Sequence, residues 1–218
     1  VYLTNNVSGK NPYNFDIQGT GYNPDPVWDG GGANGNWDTV ANWNEDIVPI
    51  AGTNVVFYSA IGSGTNINLN GNRTALGLRF NDSADTALNF TNSTLTINGG
   101  GIAASSGAAG NHVIASAISL GANQSWTNES TTDITLSGVI SGGGNVTKMG
   151  NSDGRFVLSG NNTFSGTLTI SQGRILITHA SALGDSGAGT TVQSGPGLQI
   201  QGGITVAAEP LTLYGNGY

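Results

Sequence analysis

Short runs of alternating apolar and polar residues follow one another along most of the chain. Clear examples are residues 145–149, 155–158 and 167–170, and the residues between such runs are mainly Gly, Ser and Asn. Alternation with a period of two residues predicts half-buried β-strands, and the separating residues predict turns. Since no run is long enough to indicate a helix, each strand has to bury its apolar face against other strands. A coil of stacked strands satisfies this requirement.

Apolar residues also recur along the chain at a spacing near one turn of such a coil. One series has successive steps of 19, 23, 19, 19, 19 and 21 residues, and it consists of Leu78, Ile97, Leu120, Val139, Leu158, Ile177 and Leu198. A step of about 20 residues is typical of a three-sided parallel β-helix. Residues 50–195 contain no proline, which suits a continuous sheet because proline removes a ladder donor. The predicted fold is all-β, a right-handed parallel β-helix.

An antiparallel β-sandwich is the alternative fold. The dipeptides Asn70-Gly71, Asn98-Gly99 and Asp153-Gly154 are of the kind that closes tight hairpins. Asn and Gly suit the left-handed corners of a coil equally well. The repetition without proline favours the coil. Because of the dipeptides, the sandwich remains the alternative prediction.

Composition divides the chain into three parts. Residues 1–22 predict two strands around a turn, a hairpin without partners of its own. Residues 23–50 predict a linker and a cap rich in Trp and Gly, because an uncovered first turn would expose apolar surface and an unpaired strand edge. Residues 51–218 predict the β-helix repeats, truncated at the C-terminal end. Both ends look cut, so the chain is expected to be a piece of a longer polypeptide.

Residues 142–184 contain a frame of glycine, apolar and polar positions. The frame consists of Gly144, Val146, Lys148, Gly150, Phe156, Leu158, Ser159, Gly160, Asn162, Thr163, Phe164, Gly166, Gly173, Ala182, Leu183 and Gly184. In this frame the segment is similar to the passenger-associated repeat of bacterial autotransporters, and residues 28–43 resemble the segment that comes before these repeats. Residues 1–22 resemble the closing hairpin of immunoglobulin-like repeats in bacterial exported proteins. The resemblance implies a surface-exposed β-helix, a scaffold shared by adhesins, enzymes and proteins without known activity.

The composition narrows the classes of partner. The chain has 36 Gly, 26 Asn and only 9% charged residues, with a net charge of −7 and a pI near 4.4. Phosphate binding needs a basic stripe, so no nucleic-acid partner is expected. No apolar run approaches the roughly 20 residues of a membrane-spanning helix, and no membrane contact is expected. The absence of Cys excludes disulfides and thiolate metal sites, and it fits a bacterial exported protein.

Candidate catalytic residues are sparse. Asp82 and Asp85 are a close acidic pair near Arg79, as a polysaccharide lyase or hydrolase would need for a base and for neutralising a substrate carboxylate. A solvated turn between strands explains the same residues. His112 and His179 lie in different runs and indicate no nucleophile with a base. We therefore expect no enzyme activity, with a polysaccharide lyase or hydrolase as the alternative.

Candidate binding residues lie in the cap. Trp28, Trp37 and Trp43 predict either a packed cap or a platform on which sugar rings stack. Asp29 and Asp38 flank a glycine-rich segment that predicts either a plain turn or a Ca²⁺ site. No other cofactor is expected.

Asparagine has two interpretations in this chain. Asn-x-Ser/Thr triplets begin at Asn92, Asn128, Asn145 and Asn161, and in a eukaryotic secreted protein they would accept glycans. In a coil, asparagines at successive corners form hydrogen-bond ladders instead. We favour the ladder.

These observations predict a noncatalytic, extracellular β-helical segment of a large bacterial surface or filament protein. It would serve as a stalk, an adhesin or an assembly module, with copies of itself, other surface proteins or glycans as partners. A polysaccharide-binding or polysaccharide-degrading β-helix protein is the alternative.

Overall fold

A computed structural model of the chain describes residues 25–58, 65–81, 86–88, 93–150, 153–206 and 208–215. Within these ranges nearly all regular structure is β-sheet, and the strands stack as a parallel β-solenoid of about 6 turns. The helical elements there are two 3-10 helices, Val40–Asn42 and Asn44–Asp46, and neither is long and apolar enough to cross a membrane. The predicted hairpin of residues 1–22 lies outside the described residues.

The described strands lie on three faces of the coil. In chain order they are β1 (Val27–Trp28), β2 (Asn54–Tyr58), β3 (Thr65–Asn66), β4 (Arg73–Asn81), β5 (Thr86–Leu88), β6 (Thr94–Ala104), β7 (His112–Ile114), β8 (Ala117–Leu120), β9 (Gln124–Asn128), β10 (Ile134–Leu136), β11 (Ile140–Gly142), β12 (Val146–Met149), β13 (Arg155–Leu158), β14 (Leu168–Ile170), β15 (Arg174–Ile177), β16 (Thr190–Val192), β17 (Gly197–Ile200) and β18 (Leu211–Leu213). Face B stacks β1, β2, β4, β6, β9, β12, β14, β16 and β18, and face C stacks β3, β5, β7, β10, β13, β15 and β17. Face A contains β8 and β11 with the first residues of β4 and β6, which continue over the corner onto face B.

The pairing is parallel between all of these strands, so the antiparallel sandwich is wrong. The turn length differs from the predicted step of about 20 residues. Trp126 pairs with Lys148, and Lys148 pairs with Ile170, both 22 residues apart in sequence. The difference arises because the series of apolar residues used to find the step includes residues from more than one face. Leu158 does pair with Ile177, the next residue of the series, whereas Leu78 pairs with a residue outside it.

Columns of inward side chains fill the coil. One column on face B consists of Val55, Leu78, Ile102, Trp126, Lys148, Ile170 and Val192. Its apolar members are buried, and each contributes roughly 1.5–3 kcal/mol to folding. Aromatic rings stack in the same interior, with centroids 5.1 Å apart for Phe57 and Phe80 and 5.4 Å apart for Trp126 and Phe156. The core therefore runs along the coil axis as one continuous cluster.

The corners of the coil require particular residues. Gly101, inside β6, has a φ of +68°, and a Cβ there would collide with the carbonyl oxygen of Ser125 in the next turn. At another corner Asn162 is buried, and its Oδ1 accepts from the backbone N–H of Ile140 (2.9 Å) while its Nδ2 donates to the carbonyl of Ala182 (2.7 Å). A single amide side chain thus joins three successive turns.

The predicted asparagine ladder is present at Asn145. The backbone N–H of Asn145 donates to Asn123 Oδ1, and the N–H of Thr167 donates to Asn145 Oδ1, both at 2.9 Å and across 22 residues. Each side chain therefore satisfies a backbone donor one turn further along. Of the other triplet residues, Asn128 is buried, Asn161 is exposed and Asn92 lies outside the described residues.

The last described turn exposes apolar side chains. β18 pairs with β16, and no other described strand pairs with it. Leu213 is 63% exposed, and it lines a surface cavity of about 650 Å³ together with Ile200, Leu211 and Tyr214. Face B therefore has an unpaired edge here among the residues that the structure describes.

Candidate functional site

The three tryptophans of the cap are packed against one another and closed to solvent. Trp28, Trp37 and Trp43 are 1%, 0% and 1% exposed, and the Trp43 ring meets each of the other two edge-on with centroids 5.0 Å apart. Trp43 Nε1 donates to the carbonyl of Trp37 at 2.7 Å. Because no ring face is available to a sugar, the prediction that these residues form a ligand-binding platform is wrong. They belong to the hydrophobic core.

Backbone pairing fixes this segment to the first turn. Val27 and Trp28 pair with Val56 and Phe57 of β2. Inside the segment, the buried Asn42 accepts from the backbone N–H of Gly32 and donates to two backbone carbonyls. The tryptophans are therefore held by strand pairing and by one amide side chain.

The two aspartates proposed for calcium have protein partners. Asp29 Oδ1 accepts from the backbone N–H of Gly31 at 3.0 Å. Asp38 Oδ2 lies 3.3 Å from Arg73 Nη2 and accepts from Asn70 Nδ2 at 2.9 Å, which ties the cap to the coil. In the part of the chain that the structure describes, no group of three or more His, Cys, Asp or Glu side chains could hold a metal ion.

Of the residues proposed for catalysis, Arg79 lies in the part of the chain that the structure describes. Asp82 and Asp85 lie outside the described residues. Arg79 donates to the carbonyls of Leu78 (2.9 Å) and Gly100 (3.1 Å), so its guanidinium binds backbone carbonyls of two neighbouring turns. Burial lowers the pKa of Arg79, and the charge of Asp25 acts in the opposite direction.

The two histidines have separate structural surroundings. His112 is fully buried and stacks on Phe80 with ring centroids 4.4 Å apart. His179 Nδ1 accepts from the backbone N–H of Ser181 at 3.1 Å. Each imidazole is thus explained by packing or by a local turn.

A polar groove lies along face C, and it was not predicted. Strands β7, β10, β13 and β15 pair in register. In each strand the first inward side chain follows an outward one, and the register aligns these outward residues in one column. This column consists of Asn111, Asp133, Arg155 and Arg174. With Thr131, Thr132, Asp153 and Gln199 it lines a groove of about 410 Å³, and all eight of these side chains are polar.

Arg155 is the most constrained side chain of the groove. Its Nη2 lies 2.6 Å from Asp133 Oδ2, and its Nε lies 3.1 Å from Asp133 Oδ1. Its Nη1 donates to Gln199 Oε1 at 3.2 Å, across two turns of the coil. The hydrogen bond to Asp133 raises the pKa of Arg155, against the opposing effect of burial. This pairing fixes one wall of the groove.

Arg174 is held more loosely. Its Nη2 donates to Asp153 Oδ1 at 2.7 Å, and the Asp153 side chain is 86% exposed. Within the described residues, Nε and Nη1 of Arg174 and Nε2 of Gln199 make no hydrogen bond. The groove therefore offers donors to a ligand.

Sequence reasoning missed the groove because it looked for charged residues close together in sequence. Asp133, Arg155 and Arg174 are each followed directly by an apolar strand, and Asp133 and Arg155 are 22 residues apart. A search for charged residues just before strands, at one turn length, would have found them.

A lysine lies inside the coil, which sequence reasoning also missed. Lys148 is 0% exposed, and its ammonium group donates to the carbonyls of Met149, Gly150 (3.2 Å) and Gln172 (3.4 Å). It lies 5.8 Å from the centroid of the Phe156 ring. Burial lowers the pKa of Lys148 to about 8, while the charge of Glu129 opposes this shift. The sequence did contain a signal. Lys148 lies two residues after the apolar Val146, so in a strand the two side chains share the inward side of β12.

No protein family, curated protein or solved structure matches the chain. The similarity of residues 142–184 to passenger-associated repeats therefore stays a prediction. What the strand pairing establishes is the parallel β-solenoid.

Proposed function

We propose that this chain is a noncatalytic, extracellular β-helical stalk of a large bacterial surface protein. The observation that carries the proposal is the continuous parallel pairing of faces B and C, in which strand after strand pairs with the one before. Such a coil sets a distance between its two ends. Of a stalk, an adhesin and an assembly module, the geometry supports the stalk best.

The stalk would gain length in fixed steps. Neighbouring strands in a sheet lie about 4.8 Å apart, so the nine strands of face B extend for about 38 Å along the axis. Backbone pairing joins each turn to its neighbours, and stability is then approximately the sum of turn and interface contributions. A protein can lengthen such a module by adding turns without redesigning the rest.

The chemistry of the described residues supports a noncatalytic role. The two carboxylates of the groove, Asp133 and Asp153, are paired with Arg155 and Arg174. A polysaccharide hydrolase needs one carboxyl group that stays protonated and a second carboxylate opposite it. Each carboxylate of the groove instead faces an arginine, which is not the arrangement that such a hydrolase uses.

The extracellular and bacterial parts of the proposal rest on composition and resemblance. The chain has no Cys and 9% charged residues, and residues 142–184 resemble passenger-associated repeats. Partners in this proposal are copies of the chain and other surface proteins. If the chain is exposed, protease added to intact producing cells should release its peptides. Release only after lysis would contradict exposure.

Duplication of a turn tests the stalk. Residues 124–145 comprise 22 residues and one turn, and three extra copies inserted after residue 145 should lengthen the folded protein by about 14 Å in small-angle X-ray scattering. An insertion of residues 124–134 alone is the matched control, because half a turn breaks the register and should lower the melting temperature. An unchanged length, or equal tolerance of both insertions, would refute the stalk.

A further inference from the structure

We propose that the polar groove on face C binds a linear, uncharged oligosaccharide that lies along the axis of the coil. This inference goes beyond the stalk, since a stalk needs no ligand. It rests on the shape of the groove, its free hydrogen-bonding groups and its charge.

The shape of the groove fits an extended ligand. Asn111, Asp133, Arg155, Arg174 and Gln199 come from five successive turns, so the groove is about 19 Å long at a spacing of about 4.8 Å per turn. Its volume of about 410 Å³ lies within the range of small-ligand sites. Most such sites are largely apolar, whereas the described residues that line this one are all polar. A long and hydrophilic ligand is therefore favoured over a compact apolar one.

The hydrogen-bonding groups fit hydroxyls. Arg174 has Nε and Nη1 free within the described residues, and Gln199 has Nε2 free, so donors are available from two neighbouring turns. Asp153 is 86% exposed and uses one carboxylate oxygen for Arg174, which leaves the other as an acceptor. A hydroxyl is both donor and acceptor, so adjacent sugar hydroxyls can bond to an aspartate and to an arginine at once.

The charge of the groove favours an uncharged ligand. Two arginines are balanced by Asp133 and Asp153, and the whole chain carries a net charge of −7. An acidic polysaccharide would gain no net attraction from a groove in which two aspartates balance the two arginines. Sugar hydroxyls bind beside these ion pairs without breaking them. Because none of the described residues that line the groove is aromatic, the dissociation constant is expected to be on the order of 1 mM.

Titration monitored by backbone amide chemical shifts tests the proposal. The probes are cello-, xylo-, malto-, manno- and chitohexaose, the matching monosaccharides, and hexagalacturonate as the acidic comparison. At least one neutral hexaose should shift amide signals from β13, β15 and β17, with at least about 10-fold weaker binding of its monosaccharide, because the groove spans several turns.

Two variants and one control connect binding to the groove. Arg174→Met and Gln199→Ala should each weaken binding at least about fivefold, since each removes free donors. Arg73→Met is the control, because Arg73 forms an ion pair with Asp38 at the cap, away from the groove. Melting temperatures of all variants establish that they are folded. The proposal is overturned if no neutral hexaose binds at about 10 mM, if only hexagalacturonate binds, or if Arg174→Met binds like the parent.

Discussion

Replacing Lys148 by methionine measures how the coil tolerates a charged group in its interior. The lysine lies in the inward column between Trp126 and Ile170, where every other described member is apolar. Three backbone carbonyls and the Phe156 ring surround its ammonium group. Burial lowers its pKa from the ordinary value of 10.5 to about 8, with Glu129 as the opposing charge.

The size and sign of the effect follow from proton binding. Below pH 8 Lys148 is protonated in both the folded and the unfolded chain. Between pH 8 and 10.5 the unfolded chain holds the proton and the folded chain has released it, so the free energy of unfolding rises with pH. Each pKa unit corresponds to about 1.4 kcal/mol, which gives a gain of about 2.5 kcal/mol between pH 7 and pH 10.

Urea denaturation of the parent and of Lys148→Met at pH 7, 8, 9 and 10 isolates this contribution. Contributions that do not involve Lys148 are common to both proteins and cancel in the difference. The free energy of unfolding of the parent, relative to the variant, should therefore rise by about 2.5 kcal/mol over this range. The matched control is Arg73→Met, which removes a partly exposed cationic side chain, and its difference should be flat. A flat or falling difference for Lys148→Met would refute the reasoning.

Two further predictions concern the corners of the coil, and both are checked by urea denaturation at pH 7. Asn162→Ala should cost about 2–4 kcal/mol, because it leaves a buried donor and a buried acceptor unpaired, whereas the exposed neighbour Asn161→Ala should change stability by less than about 0.5 kcal/mol. Equal effects would show that Asn162 does not join the turns. Gly101→Ala should cost more than about 2 kcal/mol, since its φ is positive and the Ser125 carbonyl occupies the space of a Cβ. Gly52→Ala meets no atom within 4 Å and should be close to neutral, so similar losses for both glycines would contradict the packing argument.

Much of the fold could be predicted from local patterns. Alternation in residues 155–158 and 167–170 predicted strands, and strands are present there at Arg155–Leu158 and Leu168–Ile170. The Asn145 ladder followed from asparagine at a corner. These features depend on short stretches of sequence and on a chain that repeats them. The turn length was harder to predict from the sequence, because apolar residues occur on every face and their spacing does not show which of them pair.

The site was less predictable than the fold. Tryptophans attract attention in a sequence as sugar platforms, yet Trp37 is completely buried because the cap folds back on the first turn. Arg155 and Arg174 look isolated in sequence, and they become neighbours only through the pairing of β13 with β15. Arg155 reaches Gln199, 44 residues further on, across two turns.

By itself the sequence determined the local elements: strands from the alternation of side chains, corners from Gly and Asn, and uninterrupted sheet from the absence of proline. The tertiary structure decided which strands pair and in what register. Register depends on the simultaneous packing of side chains from all three faces, so it is a property of the whole coil. Only this register aligns Asp133, Arg155 and Arg174 in one groove and places Lys148 in the core.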